Sequence, residues 1–171
     1  MDLLVTGFGQ YQIIFLQIIL ALLLGMALGV QRTLSGKNAG MRTYALVCMA
    51  STLLVIMAQT VIASYPNKIN FDPFQIAGSV MQGIGFLGAG LIIFHGTKVN
   101  GLTTAAGIWM SAVIGLAVGY EMYIVATFAT VMTLIVFTLV WTFEAKIRTR
   151  YVHENNSENE EIEGESPLRR M

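Results

Sequence analysis

The chain has 171 residues, of which 55% are hydrophobic and 12% charged, with a mean hydropathy of +0.66. A soluble domain usually carries about 25% charged residues, so this composition argues against a water-soluble globular protein. The net charge is zero, but six of the ten acids are Glu residues between 154 and 165, so the rest is almost uncharged. A single cysteine, Cys48, excludes an intramolecular disulfide and a thiolate metal site.

Five apolar segments predict an all-α membrane protein with five transmembrane helices. The segments are 11–30, 43–63, 76–94, 102–118 and 122–143. The first has twenty residues without a charge, enough to cross a hydrocarbon layer of about 30 Å. No Lys or Arg precedes it, so we interpret it as an uncleaved span and not as a signal peptide. Residues 1–143 would then form a transmembrane domain, followed by an acidic, disordered tail at 144–171.

Lys and Arg residues close to the spans predict the orientation. The side reached after the first, third and fifth spans holds seven of them, and the other side holds only Lys68. The seven are Arg32, Lys37, Arg42, Lys98, Lys146, Arg148 and Arg150. Because cytoplasmic loops are enriched in Lys and Arg, we expect the N-terminus outside and the C-terminus in the cytoplasm.

Two of the predicted cytoplasmic loops share the pattern K-x-x-G-x-x-T-x-A, at 37–45 and 98–106, an offset of 61 residues. A parallel duplication of a two-helix unit, helices one and two followed by three and four, would explain it. Helix five would lie outside the repeat. Chance similarity between short turns rich in Gly, Lys and Thr is the alternative.

Glycines are concentrated in the third span, at Gly83, Gly85, Gly88 and Gly90, ahead of a polar turn at 95–101. Each costs about 1 kcal/mol in a helix, and we expect close approach to a neighbouring helix to offset that cost. The segment matches GxGxxG, but a dinucleotide site needs a preceding strand and an acidic residue about 20 positions on. We therefore expect helix packing or a locally opened helix.

Two further sets of small residues predict helix contacts. Gly25 and Gly29 form a GxxxG pair in the first span. A stripe at every fourth position of the fourth span indicates either packing within the chain or the seam of a homodimer; it consists of Gly107, Ser111, Gly115 and Gly119.

The roles of several polar residues have two interpretations. Arg32 and Arg42 indicate either contact with lipid phosphate or a recognition site for a partner protein or an anion. Asp72, before Pro73, is expected to cap the third helix, with a divalent-cation contact as the alternative. Trp109 is expected to pack in the core. The span glutamines are expected to hydrogen-bond between helices or to line a small polar cavity; they are Gln17, Gln59 and Gln82.

Acidic and basic residues are missing from the interior of every predicted span, whereas proton and ion pathways usually carry them. The sequence has no P-loop pattern and no plausible Ser/His/Asp set. We therefore predict no catalytic, cofactor-binding or metal-binding residues, and the lipid bilayer, not nucleic acid, as the partner.

Three blocks of sequence resemble the MgtC/SapB family of bacterial membrane proteins, and the resemblance covers about 11–143. The blocks are 36–47, then Asp72-Pro73 with 83–90, then 101–106 with Trp109. Their motif positions are candidates for packing or partner contact: Arg32, Gly40, Arg42, Thr43, Asp72, Gly83, Gly85, Phe86, Gly88, Gly90, Gly101, Thr103, Thr104 and Trp109.

The resemblance implies a non-enzymatic, multi-pass protein of the bacterial inner membrane, linked to magnesium limitation, stress adaptation and virulence. Such proteins are thought to modulate other membrane machinery, so the expected partner is another membrane protein or a second copy. A small transporter or channel is the alternative. The chain departs from the family pattern at Gln31 and Gln75, where charged residues are common. We expect no soluble domain after 144, although some relatives carry one.

Overall fold

The structure is a computed structural model that describes residues 2–64 and 72–139, without the side chains of 2–10 and of residue 95. It contains five helices in these ranges: α1 (Asp2–Leu34), α2 (Met41–Ser64), α3 (Pro73–Leu91), α4 (Leu102–Gly119) and α5 (Tyr123–Leu139). Two short antiparallel strands, β1 (Ile93–His95) and β2 (Lys98–Asn100), lie between α3 and α4. The chain divides into two compact units, Met1–Leu134 and Ile135–Met171.

The prediction of a helical membrane protein is confirmed by the length and composition of the helices. Four have the length and hydropathy of membrane spans, and the candidate spans in α1 to α4 are 24, 24, 19 and 18 residues long. The described part of α5, Tyr123–Leu139, is apolar but shorter, at 17 residues. Positions 140–143 of the predicted fifth span, and the predicted tail, lie outside the described residues.

The predicted end of the third span and the predicted turn after it are wrong. α3 ends at Leu91, and the residues placed in a turn belong to a β-hairpin, in which Ile93 lies opposite Asn100. Gly96 and Gly101 have φ values of 60° and 90°, a conformation that glycine adopts without strain. The β-branched residues around them favour strands. The first helix also starts earlier than predicted: α1 begins at Asp2, nine residues before residue 11, the predicted start of the first span.

The core lies where α1, α2 and α4 meet. α2 packs against both α1 and α4, and α3 packs against α4. Tyr44 lies beside Thr104 and Val55 beside Gly119, so α2 and α4 run parallel. The two helices therefore begin at the same end of the bundle, next to the β-hairpin. Large side chains buried in this core include Leu28, Tyr44, Val55, Ile108 and Ile114.

The proposed two-helix duplication stays a prediction. In its favour, α1–α2 and α3–α4 are both pairs of helices in contact. The glycines that match in the repeat, Gly40 and Gly101, each directly precede a helix, α2 and α4 respectively.

Candidate functional site

The contact between α2 and α4 is closed by hydroxyl groups that bond to the opposite backbone. Ser111 Oγ donates to the Tyr44 carbonyl at 2.8 Å, and Thr52 Oγ1 donates to the Gly115 carbonyl at 2.7 Å. A Cβ atom on Gly115 would collide with the carbonyl oxygen of Cys48. The small-residue stripe of α4 therefore packs within the chain, which was one of the two interpretations; the other was the seam of a homodimer.

The contact between α1 and α2 uses the predicted GxxxG pair. An added Cβ on Gly25 would lie 2.7 Å from the Tyr44 carbonyl oxygen, and one on Gly29 would collide with Met41. The packing prediction for this pair is confirmed. Gln17 Nε2 donates to the Tyr123 hydroxyl at 2.9 Å, which confirms a hydrogen bond between helices for this one of the three glutamines.

Three buried polar residues meet where α1 ends and α2 and α4 begin. Arg32 is 3% exposed, Tyr44 0% and Thr104 5%. The Tyr44 hydroxyl donates to the Thr104 carbonyl at 3.2 Å, and the Arg32 guanidinium lies within hydrogen-bonding reach of that hydroxyl. Direct contact of Arg32 with lipid phosphate or with a partner protein, as predicted, is therefore wrong for the chain by itself, because the side chain is enclosed.

Gly40 and Thr33 organise the connection that leads into α2. Thr33 Oγ1 accepts from the Met41 backbone N–H at 3.1 Å and lies 3.0 Å from the Gly29 carbonyl, to which it donates. A Cβ atom on Gly40 would collide with the same hydroxyl. The motif glycine is thus needed for close approach between this connection and the end of α1.

Among the described residues between 11 and 139, charges of opposite sign lie at opposite ends of the bundle. We refer to Arg32, Lys37, Arg42 and Lys98 as the basic end; all but Arg32 are exposed. The motif residues Thr43 and Thr103 are exposed at the starts of α2 and α4, at this same end. The acids Asp72 and Glu121 lie at the other end of the spans. The predicted orientation, which places the basic end in the cytoplasm, stays a prediction.

Asp72 caps α3, as predicted. Its side chain accepts from the Phe74 backbone N–H at 2.9 Å, and Pro73 occupies the first turn. The Tyr120 hydroxyl donates to the Pro73 carbonyl at 2.8 Å. Burial, and then the negative charge of Asp72, raise the pKa of Tyr120 above its usual 10.0. Within 2–64 and 72–139, no three His, Cys, Asp or Glu residues are grouped as a metal site would require.

The glycine-rich motif of α3 contradicts the prediction of close helix approach. A Cβ atom on Gly83, Gly85 or Gly90 would meet none of the described residues within 4 Å, and of the four glycines only Gly88 has such a neighbour, the Ala105 Cβ at 3.6 Å. α3 is an uninterrupted helix, so local opening is also wrong.

Two aromatic motif residues also lie at the surface. Phe86 is 81% exposed. Trp109 is 47% exposed, so its predicted place in the core is wrong. Its helix, α4, buries the stripe of small residues against α2 and turns the tryptophan outward.

An apolar groove separates α2 from α3, which touch only locally. It has a volume of about 940 Å³. Apolar side chains such as Leu54, Ile76 and Leu87 line most of it, with Asp72 at one end. The sequence did not predict this groove, because no local pattern specifies how far apart two helices stand.

The structure brings the three sequence blocks together at α4. Tyr44 of the first block contacts Thr104 of the third, and a Cβ atom on Gly88 of the second would lie 3.6 Å from the Cβ of Ala105 in the third. Tyr44 and Thr52 were not singled out from the sequence. Their spacing along α2, two helical turns apart, is the signal that could have placed them on one polar face.

Comparison with known proteins identifies the family. A model of the MgtC family matches residues 18–146. The chain belongs to the MgtC family. Escherichia coli K12 has a relative named "Putative magnesium transporter YhiD", 36% identical over 140 residues, which are 81% of this chain and 65% of that protein. Protein MgtC of Salmonella typhimurium LT2 is 37% identical over 119 residues, 70% of this chain.

Coverage of the relatives is partial. The alignment with Salmonella MgtC spans 48% of that protein. Protein SrpB of Synechococcus elongatus is 39% identical over 130 residues, and that alignment spans 71% of SrpB. The region that the family model matches contains α2, α3, α4 and the basic end. No solved structure matches the chain.

Proposed function

We propose that this protein is a non-enzymatic regulator of the bacterial inner membrane, which binds other membrane proteins through its basic end during adaptation to magnesium limitation or related stress. One observation carries the proposal. Three exposed cations, Lys37, Arg42 and Lys98, lie at the same end of the bundle as a buried polar contact of Arg32 with Tyr44. Membership of the MgtC family supports the link to magnesium, since an E. coli relative is named for it.

The rigidity of the helices below the basic end suits recognition. Hydroxyl–carbonyl bonds and glycine contacts hold α2 against α4, so the backbone of Arg42, in the first turn of α2, has a set position. Groups held in place lose little freedom on binding, which favours affinity. Arg42 offers a planar fork of donors that fits a carboxylate in two-point contact. In the predicted orientation these cations face the cytoplasmic parts of neighbouring membrane proteins.

Crosslinking in cells tests the regulatory role. Tagged protein is crosslinked in cells grown at low magnesium, purified in detergent, and its captured proteins are identified. We expect Arg42→Ala to reduce a specific partner severalfold at equal expression. Lys68→Ala, which removes the cation predicted on the opposite side, is the control and is expected to have no effect. Capture that is the same in both variants, or no specific partner at all, contradicts the proposal.

A small transporter is the second candidate, favoured by the name of the E. coli relative and by the groove between α2 and α3. The groove provides one carboxylate, Asp72, whereas protein sites for Mg²⁺ usually combine one or two carboxylates with retained waters. This lining supports transport less than the basic end supports an acidic partner. Mg²⁺ flux into proteoliposomes that Gly83→Leu, a change within the groove, abolishes with the protein still folded would favour transport.

A further inference from the structure

One side of α3 has no partner in the described part of the chain. Its residues follow at intervals of four, three and four, so they occupy a narrow strip of the helix surface. All are exposed, and a Cβ atom on either glycine of the strip would meet no atom within 4 Å. We refer to the strip as the α3 stripe: Gly78, Gln82, Gly85 and Ala89.

Gln82 makes this surface unsuited to lipid. It is the central residue of the 19-residue helix, so in a spanning α3 it lies near the middle of the bilayer. Its side-chain amide hydrogen-bonds to none of the described residues, and hydrocarbon offers no partner. The glycines beside it leave helix backbone uncovered. Lipid would stabilise neither the unpaired carboxamide of Gln82 nor the uncovered backbone at the glycines, although both lie at the same depth.

We propose that the α3 stripe is the seam of a homodimer, in which Gln82 pairs with Gln82 of the second copy. Copies inserted in the same orientation are related by a two-fold axis along the membrane normal, so identical residues meet at identical depth. A carboxamide has both donors and an acceptor, so it is complementary to itself. A second copy thus supplies the required polar group at the required depth.

The spacing of the α3 stripe fits this arrangement. Intervals of four and three are those of a left-handed seam, in which two helices cross at about 20°. Gly78 and Gly85 let the two backbones approach closely, and Phe86, next to the stripe, provides a large side chain to cover the uncovered glycine surface. The sequence suggested a seam on α4, but that stripe is already used inside the chain.

Disulfide crosslinking in native membranes tests the seam. In a Cys48→Ala background, Gly85→Cys and Ala89→Cys are each oxidised with copper phenanthroline. We expect a disulfide-linked homodimer from both. The control is Val131→Cys, at the middle of α5 and 45% exposed, which is expected to stay monomeric. The proposal is overturned if positions 85 and 89 give no homodimer, link to a different protein, or link no better than position 131.

The role of the carboxamide is tested by energy transfer between labelled copies diluted in lipid bilayers. We expect Gln82→Leu to weaken dimerisation by about fivefold to thirtyfold, the effect of one hydrogen bond between helices in model peptides. Gln82→Asn should retain most of the affinity. Gln59→Leu makes the same change on α2 and should leave it unaltered. Equal affinities of Gln82→Leu and the unmodified protein would refute the pairing of Gln82 across the seam.

Discussion

Gly115 lies where α2 and α4 approach closely, and its replacement by alanine tests the packing of the core. The added Cβ would collide with the Cys48 carbonyl oxygen and lie 2.9 Å from the Ser51 Cβ. Ordinary carbon contacts are about 3.5–4.0 Å, so the helices would have to separate by about 1 Å. That movement also stretches the bond from Thr52 to the Gly115 carbonyl, which is 2.7 Å long.

The expected loss of stability follows from three contributions. Overpacking of a close-packed core costs about 1–3 kcal/mol. A hydrogen bond between membrane helices contributes about 0.6 kcal/mol on average, and two of them cross this contact. Alanine regains up to about 1 kcal/mol of helix propensity. We therefore expect Gly115→Ala to lower the free energy of unfolding by about 2 kcal/mol.

Reversible unfolding by sodium dodecyl sulfate in mixed micelles, followed by circular dichroism, measures this difference. Gly83→Ala is the matched control, because its Cβ would meet nothing within 4 Å. It should leave stability unchanged or raise it by up to about 1 kcal/mol. The reasoning is refuted if Gly115→Ala is as stable as the unmodified protein, or if both alanines destabilise it equally.

Three further predictions use the same protein in detergent. Thr52→Val should lower the free energy of unfolding by about 1 kcal/mol, whereas Thr60→Val, whose hydroxyl bonds only within its own helix, should change it little. Arg32→Lys should cost about 2 kcal/mol because its fork of donors is buried, while Arg42→Lys at the surface should stay within about 0.5 kcal/mol. An ultraviolet titration should place the pKa of Tyr120 above 10.0, because burial and a nearby carboxylate disfavour the phenolate. The folded state then holds the proton more tightly than the unfolded state, so this contribution to stability is complete below pH 10.0 and is lost as the pH rises through the raised pKa. A titration midpoint of Tyr120 at or below 10.0 would contradict the prediction for its pKa. Equal losses in the free energy of unfolding for Thr52→Val and Thr60→Val, or for Arg32→Lys and Arg42→Lys, would contradict the prediction for that pair.

Helix number and approximate positions were predictable because the bilayer imposes length and apolarity on each span. Caps were predictable too, since Asp72-Pro73 is a local signal for a helix start. The end of α3 was not. It depends on the hairpin around Gly96, in which weak strand propensities at 93–95 and 98–100 act together through pairing.

Which glycines pack against a neighbour could not be predicted from their number. α3 and α4 both carry stripes of small residues, and a stripe shows only that a helix can be approached closely. α4 lies against α1, α2 and α3, so its stripe is enclosed, whereas α3 lies at the side of the bundle and touches mainly α4. The burial of Arg32 could not be predicted for the same reason. It depends on Tyr44 and Thr104, which are distant from Arg32 in the sequence and are brought near it by the fold.

Labelling of single cysteines tests most directly whether the basic end of the bundle faces the cytoplasm, on which the proposed function depends. In a Cys48→Ala background, Lys37→Cys and Glu121→Cys are exposed to a membrane-impermeant maleimide in spheroplasts. Our account predicts that Glu121→Cys is labelled in intact spheroplasts and that Lys37→Cys is labelled only after lysis. Labelling of Lys37→Cys from outside, with Glu121→Cys protected until lysis, would contradict it.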